Sequence, residues 1–172
     1  MKTLHLLRHA KSSWKDSTLK DFDRPLNKRG KLSANFIAKK LMAENFKPDL
    51  IYCSPAKRTK ETYKYLNSTL NFKTSLDYKD EIYEAHYSTL LNLINKVDSK
   101  HNSVLLIGHN PGLSNLASEL TNTNINLVTC NIISIEFEAE NWDEVFNGCG
   151  EISRLDFPKK HDEFNKILWN WK

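Results

Sequence analysis

The sequence predicts an α/β fold: a three-layer sandwich with a mostly parallel central sheet and helices on both faces. Three observations carry that prediction. Short apolar runs recur along the chain at Leu4–Leu7, Leu50–Cys53 and Val104–Ile107, as buried parallel strands require. Stretches with apolar residues every three or four positions follow the runs, which is the helical period. The chain has 172 residues of which 40% are hydrophobic, enough for one core and too few for two comfortable ones.

The first run, Leu4-His5-Leu6-Leu7, stops abruptly at Arg8-His9. Residues 11–26 are polar and read as a loop leaving that strand end, a common place for function. Asn27 caps a helix expected to run to about Glu44, with Leu32, Phe36, Ile37 and Leu41 on one face. Asp49–Cys53 is a second strand after Pro48. Ser54-Pro55 then reads as an N-cap with proline at the first helical position, opening a helix through Ala56, Thr59, Tyr63, Leu66 and Leu70. After a polar stretch, Ser88 starts a helix carrying Leu90, Leu91, Ile94 and Val97. Ser103–Gly108 is a third buried strand, and Asn110-Pro111 opens a helix with Leu113, Leu116, Ala117 and Leu120 on one face. Ile133, Ile135 and Phe137 alternate with Ser134, Glu136 and Glu138, predicting a half-exposed strand. Glu151–Phe157 is expected at a sheet edge. The polar C-terminal tail 158–172 carries Trp169 and Trp171, which suit docking, and closes a single domain spanning 1–172.

Composition narrows the function classes. Net charge is +4 and spread along the chain, with no basic stripe of the kind that binds nucleic acid. No segment approaches the roughly 20 apolar residues of a membrane span. Three irregularly spaced cysteines and a start unlike a secretion signal point to free thiols in the cytoplasm. A monomer is expected.

Three predicted strands end in the same manner: at Arg8-His9, at Ser54-Pro55-Ala56-Lys57-Arg58, and at Gly108-His109-Asn110-Pro111-Gly112. Parallel strands would bring all three ends to one edge of the sheet, where open α/β folds bind ligands. Arg8, His9, Arg58 and His109 would converge there beside helix N-termini, making an anion pocket that contains two imidazoles. Either end alone has a structural explanation, such as Arg8 paired with a carboxylate and His9 capping a loop. Three coinciding ends do not. Cys53 and Arg58 do not form the loop of a cysteine-dependent phosphatase, because four residues intervene where five are needed and Pro55 removes an N–H. His5, His86, His101 and His161 are scattered, and neither His9 nor His109 has a ligand partner at metal spacing.

The blocks Leu7-Arg8-His9-Ala10-Lys11-Ser12, Cys53-Ser54-Pro55-Ala56-Lys57-Arg58-Thr59 and Ile107-Gly108-His109-Asn110-Pro111-Gly112 resemble the signatures of the histidine phosphatase superfamily. Within it the chain is most similar to the short SixA-type phosphohistidine phosphatases, over residues 1 to about 157. Ala10 stands where much of the superfamily has glycine, and marks the short subgroup. The resemblance implies a phosphoglycerate-mutase-like fold. It also implies a metal- and cofactor-independent phosphatase in which His9 is the nucleophile, while Arg8, Arg58 and His109 bind the phosphoryl group. Arg24 matches a further phosphate-side arginine, with a loop salt bridge to Asp21 or Asp23 as the alternative. His109 is expected to be protonated beside phosphate. The segment Asp77–Tyr83 looks like the one that supplies a general acid, with Glu81 the first choice and Asp80 the second. The implied substrate is a phosphohistidine carried on a protein. A small-molecule phosphomonoesterase, a mutase-like phosphotransferase and a non-catalytic phosphate-binding module are the alternatives. Some fifty residues separate His9 from Arg58 and Arg58 from His109, leaving little room for the lid a mutase uses to exclude water.

Overall fold

The computed structural model describes residues 1–170. Six strands form one sheet in the order β3-β2-β4-β1-β5-β6. They are β1 (Lys2–Arg8), β2 (Leu50–Cys53), β3 (Leu76–Tyr78), β4 (Ser103–Gly108), β5 (Ile132–Phe137) and β6 (Gly150–Asp156). The first four are mutually parallel; β5 runs antiparallel to β1, and β6 antiparallel to β5. The helices are α1 (Lys28–Ala43), α2 (Lys57–Leu70), α3 (Tyr87–Asn95), α4 (Gly112–Thr121) and α5 (Asp162–Trp169).

Each face of the sheet has its own apolar layer. Leu7, Ile51, Cys53, Leu105 and Ile107 pack with Ile37, Ala38 and Leu41 of α1 and Leu66 of α2. Leu4, Leu6, Val104 and Leu106 pack with Leu90 and Ile94 of α3, Leu113 and Leu116 of α4, and the buried Trp142. Alternate side chains of a strand point to opposite faces, so the central β4 is apolar without a break from Val104 to Ile107, while β1 places Leu4 and Leu6 on one face and Leu7 on the other, with the half-buried His5 between them.

Several local expectations are corrected. Ser54 is not the N-cap of α2, nor Pro55 its first residue: the helix starts at Lys57 after Ala56, and the Ser54 hydroxyl accepts only a long 3.4 Å bond from the Ala56 amide. Asn27 does cap α1, its Oδ1 accepting from the Gly30 amide. The core face of α1 is Ala34, Ile37, Ala38 and Leu41; Leu32 and Phe36 are half-buried on another side. Phe36 meets Phe164 of α5 at 5.1 Å between ring centroids. The C-terminal tail thus holds a helix docked through the buried Phe164, while Trp169 is exposed and Trp171 lies outside the described residues. α3 begins one residue before Ser88, with the His86 Nδ1 accepting from the Ser88 amide. β5 is buried on both faces instead of half-exposed, with only Glu136 partly open, and Ser134 Oγ lies 2.7 Å from Nδ1 of His5, its cross-strand neighbour on β1. The short edge strand β3 falls in the stretch read as merely polar.

Candidate active site

Register fixes the centre of the site. Arg8 of β1 pairs with Gly108 of β4, and Cys53 of β2 pairs with Ile107. His9, His109 and Ser54 therefore follow three adjacent strand ends at one edge of the sheet. The backbone continues the ladder one step further: His9 N–H donates to the Gly108 carbonyl at 3.1 Å, and Ser54 N–H to the Ile107 carbonyl at 3.0 Å. The His9 and His109 rings stand 5.3 Å apart, centroid to centroid.

His9 is buried and its Nδ1 lies 2.7 Å from the Ala10 carbonyl oxygen. A carbonyl only accepts, so Nδ1 carries the proton and Nε2 is left with a lone pair. The same residue is held from α2, as the Ala10 amide donates to Thr62 Oγ1 and that hydroxyl donates to the Arg58 carbonyl. Burial, assisted by the charges of Arg58, Arg8 and Arg24, lowers His9 to about 4 against the opposing pull of the Ala10 hydrogen bond. The imidazole is therefore neutral at physiological pH, as a nucleophile must be.

His109 is held low as well: burial and the charge of the neighbouring Arg58 bring it to about 3, so the protein's own groups favour the neutral ring, and a protonated ring would need the negative charge of a phosphoryl group beside it. Its Nε2 is 2.7 Å from the Ser54 hydroxyl, the group that local pattern reads as a helix cap.

Three guanidinium groups surround these rings. Arg8 Nη1 donates to the Leu127 carbonyl at 2.8 Å. Arg24 donates through Nε and Nη2 to Asp21 Oδ1, and through Nη1 to the Ser12 hydroxyl. Arg58 donates to the Asp21 carbonyl and to Asp21 Oδ2. Arg24 is thus both a salt-bridged loop residue and a lining residue of the pocket. Tyr83 O–H also donates to Asp21 Oδ2, at 2.8 Å. Burial alone would raise the Asp21 carboxyl, but the hydrogen bonds from Tyr83 and Arg24 and the charge of Arg58 outweigh it and bring the group to about 2. Asp21 is the hub that holds two arginines at fixed angles, and sequence reasoning saw it only as the other end of a possible loop salt bridge. Arg8 Nε, Arg58 Nε and His109 Nδ1 are buried without a hydrogen-bond partner among the described residues. Buried donors left open in this way suit an incoming oxyanion.

The pocket they line measures about 310 Å³ and is completed by Lys11, Ser12, Trp14, Glu84, Asn110 and Thr129. Trp14 lies over the Arg24 guanidinium, 3.4 Å from ring centroid to carbon. Glu81 and Asp80, the expected acids, are exposed and do not line the pocket. The reason is local: Asp80–Ile82 forms a 3-10 turn that buries Ile82 and turns Glu81 to solvent. The chain then reverses at Glu84, whose φ of 52° is left-handed, and it is Glu84 that reaches the pocket. Gly112 allows this, because a Cβ there would collide with the Ala85 carbonyl. Among the described residues no cluster of three or more His, Cys, Asp or Glu side chains is arranged to hold a metal ion. Cys53, the last residue of β2, is buried with its thiol pushed up to about 12 by that burial, which makes it inert as a nucleophile.

A neutral imidazole with a committed tautomer, set among arginine forks and open N–H groups at the carboxyl edge of a parallel sheet, defines an anion-binding centre of the phosphoryl-transfer kind. The chain belongs to the histidine phosphatase superfamily, branch 1, whose profile matches residues 4–105. A chloroplastic protein of Arabidopsis thaliana is 34% identical over 152 residues, covering 83% of this chain and 70% of its own. A protein of Mycobacterium tuberculosis is 29% identical over 167 residues, covering 89% of this chain and 100% of its own. Both relatives are described as uncharacterized. Among solved structures, a candidate phosphohistidine phosphatase SixA from Agrobacterium tumefaciens superposes with a TM-score of 0.80 at 27% identity, covering 91% of this chain and 98% of that one. A phosphoserine phosphatase from Entamoeba histolytica shares the fold at 13% identity, with a TM-score of 0.63 over 91% of this chain and 97% of that one. Family and fold place the chain among the phosphatases and match the phosphoglycerate-mutase-like architecture.

Proposed function

We propose that the protein hydrolyses a phosphohistidine on another polypeptide, through a transient phosphoryl group on its own His9. The observation that carries this reading is the state of His9: Nδ1 is committed to the Ala10 carbonyl and the ring stays neutral down to about pH 4. In the first step His9 Nε2 attacks phosphorus and the P–N bond to the substrate imidazole breaks. That imidazole departs with a proton drawn from solvent. In the second step water attacks the same phosphorus, its proton passes to solvent, and the P–N bond to His9 breaks to give inorganic phosphate and neutral His9. Arg8, Arg24, Arg58 and His109 surround the three equatorial oxygens, whose spread negative charge fixed donors stabilise best. Asp21 and Ser54 position those donors. These charges supply what a metal would, so activity should survive chelators. Trp14 at the mouth of the pocket is 70% exposed, and an unroofed site favours attack by water over return of the phosphoryl group to a substrate. No helix among the described residues is long and apolar enough to cross a membrane; the free thiols of Cys53, Cys130 and Cys149 support a reducing compartment such as the cytoplasm as the place of the reaction.

One observation favours a second reading. Glu84 lines the pocket, and a carboxyl there suits protonation of a departing alkoxide, so a small-molecule phosphomonoesterase is the rival. Imidazole leaves without an acid; an alkoxide does not. Acid-labile, alkali-stable phosphate should be trapped on His9 during turnover and vanish in His9→Ala together with activity. Glu84→Gln should leave phosphohistidine hydrolysis within about twofold while reducing any alkyl phosphatase activity by about 10²-fold or more, the scale of general acid catalysis. Full activity in His9→Ala would sink the mechanism. Faster turnover of alkyl esters than of phosphohistidine would favour the rival.

A further inference from the structure

A second depression adjoins the phosphoryl pocket. It measures about 240 Å³ and lies between Arg29 and Ser33 of α1, the Val128-Thr129 turn, and Phe157, Lys159 and Phe164 of the C-terminal segment. Thr129 lines both spaces, so the two adjoin at that residue. Beyond it, a further depression of about 390 Å³ is lined by Arg29 and Lys159 again, with Asn165, Leu168 and Trp169 of α5. The result is a row of adjoining depressions, a shallow surface channel that leads away from His9 past the two cations Arg29 and Lys159. Among the described residues no aspartate or glutamate lines either depression, and neither Arg29 nor Lys159 has an ion-pair partner. The remaining walls are largely apolar: Val128 is 43% exposed and Phe157 half-buried.

Uncompensated cations between apolar walls have a definite complement. A free phosphate or a small phosphoester is accommodated by the phosphoryl pocket alone and has nothing to place in two further depressions. An extended polypeptide advances about 3.3 Å per residue and presents alternate side chains to a groove. We propose that this channel binds the chain flanking the phosphorylated residue, and that Arg29 and Lys159 select an acidic side chain in that flank. The proposal rests on the polypeptide phosphohistidine reading above and deepens it: it names a preference for acidic sequence beside the modified histidine.

Three probes test it: phosphoimidazole, which fills the phosphoryl pocket only, and two phosphohistidine peptides of equal length with either glutamates or glutamines on both flanks. The wild type should turn over the glutamate peptide with a KM roughly five- to tenfold below that of the glutamine peptide, the scale of a charge-assisted contact partly shielded from water. Arg29→Ala and Lys159→Ala should each remove most of that difference by raising KM, with kcat and the rate on phosphoimidazole unchanged. Lys159→Glu should invert the preference, giving the glutamine peptide the lower KM, an outcome that misfolding cannot imitate. Equal KM for both peptides in the wild type overturns the channel assignment, as does equal loss on phosphoimidazole and peptide in the variants. If none of the three probes is hydrolysed, it is the proposed activity that fails, and the channel assignment with it.

Discussion

Each end of β1 carries a cation, buried at one end and half-buried at the other, and the two ends treat it in opposite ways. At the amino end Lys2 is 2% exposed. Its ammonium donates to the carbonyls of Ser99 and His101 and to Asn102 Oδ1, at 2.6, 3.2 and 3.0 Å. Three donors meet three acceptors, and the buried Trp142, whose indole N–H donates to the same His101 carbonyl, covers the arrangement. At the carboxyl end Arg8 spends one N–H on Leu127, and its Nε, like that of Arg58, has no partner among the described residues. A saturated buried cation is part of the architecture. An unsaturated one keeps its hydrogen-bonding capacity for something that arrives.

The sharpest way to break this contrast is to exchange charge for charge at the open end. Arg58→Lys keeps the cation but loses the fork that reaches both Asp21 and an oxyanion. Turnover should fall roughly 10²-fold, the scale for one donor aimed at transition-state charge, with little change in stability. A loss below about threefold would remove Arg58 from the chemistry. At the closed end the expectation reverses. Lys2→Met leaves the Ser99 carbonyl and the Asn102 amide oxygen without their donor, while the His101 carbonyl keeps Trp142, and it should destabilise the fold by about 1–3 kcal/mol, read as a shifted denaturant midpoint, with kcat unchanged. A fall in kcat at constant stability would mean that the two ends are coupled.

The third test is a titration and carries the smallest effect. His9 works as the neutral base and is held at about 4, so activity should persist above that pH and decline as pH falls through it. An acid limb of kcat/KM near 6.5 would show that the site does not depress the group. Stability has the same sign. His5, His9 and His109 all lie below their ordinary 6.5 in the folded protein, His5 through burial and the nearby Arg154. The unfolded chain therefore takes up protons that the folded chain refuses, and stability drops as pH falls from about 6.5 towards 4. Denaturant midpoints at pH 7 and pH 5 measure it.

The open end was legible in the chain because it is built from strand endings. Arg8, His9 and His109 sit directly after apolar runs and Arg58 lies in the first turn of α2, so a parallel sheet is enough to gather them. The residues that orient them were not legible, for a physical reason in each instance. Asp21 lies in a loop, and its partners Arg58 and Tyr83 are 37 and 62 positions away. Ser54-Pro55 has the form of a helix start, yet its hydroxyl is taken by His109, 55 positions distant. The carboxylate of the pocket moved from Glu81 to Glu84 because a non-glycine residue adopts a left-handed backbone there, which side-chain pattern does not announce. Phe36 and Leu32 follow the helical period correctly but serve the contact with α5, since a period reveals a face and not its partner.

The loop that carries Trp14, Asp21 and Arg24 is closed at its neck. Ser12 bridges Leu26 in antiparallel fashion, Ser13 N–H donates to the Pro25 carbonyl, and Asn27 N–H donates to the Lys11 carbonyl. Gly30 lets α1 press against that neck, where a Cβ would strike the Lys11 carbonyl. A loop whose ends are already joined is a module. Lengthening it costs only about 0.6 kcal/mol for each doubling of its span. Extra residues between Lys15 and Lys20 would therefore extend the mouth of the pocket while Asp21 and Arg24 stay pinned to Arg58 and Ser12. The substrate range of this scaffold can be altered by splicing at that one place, with the two histidines held in register by a backbone ladder that the splice never touches.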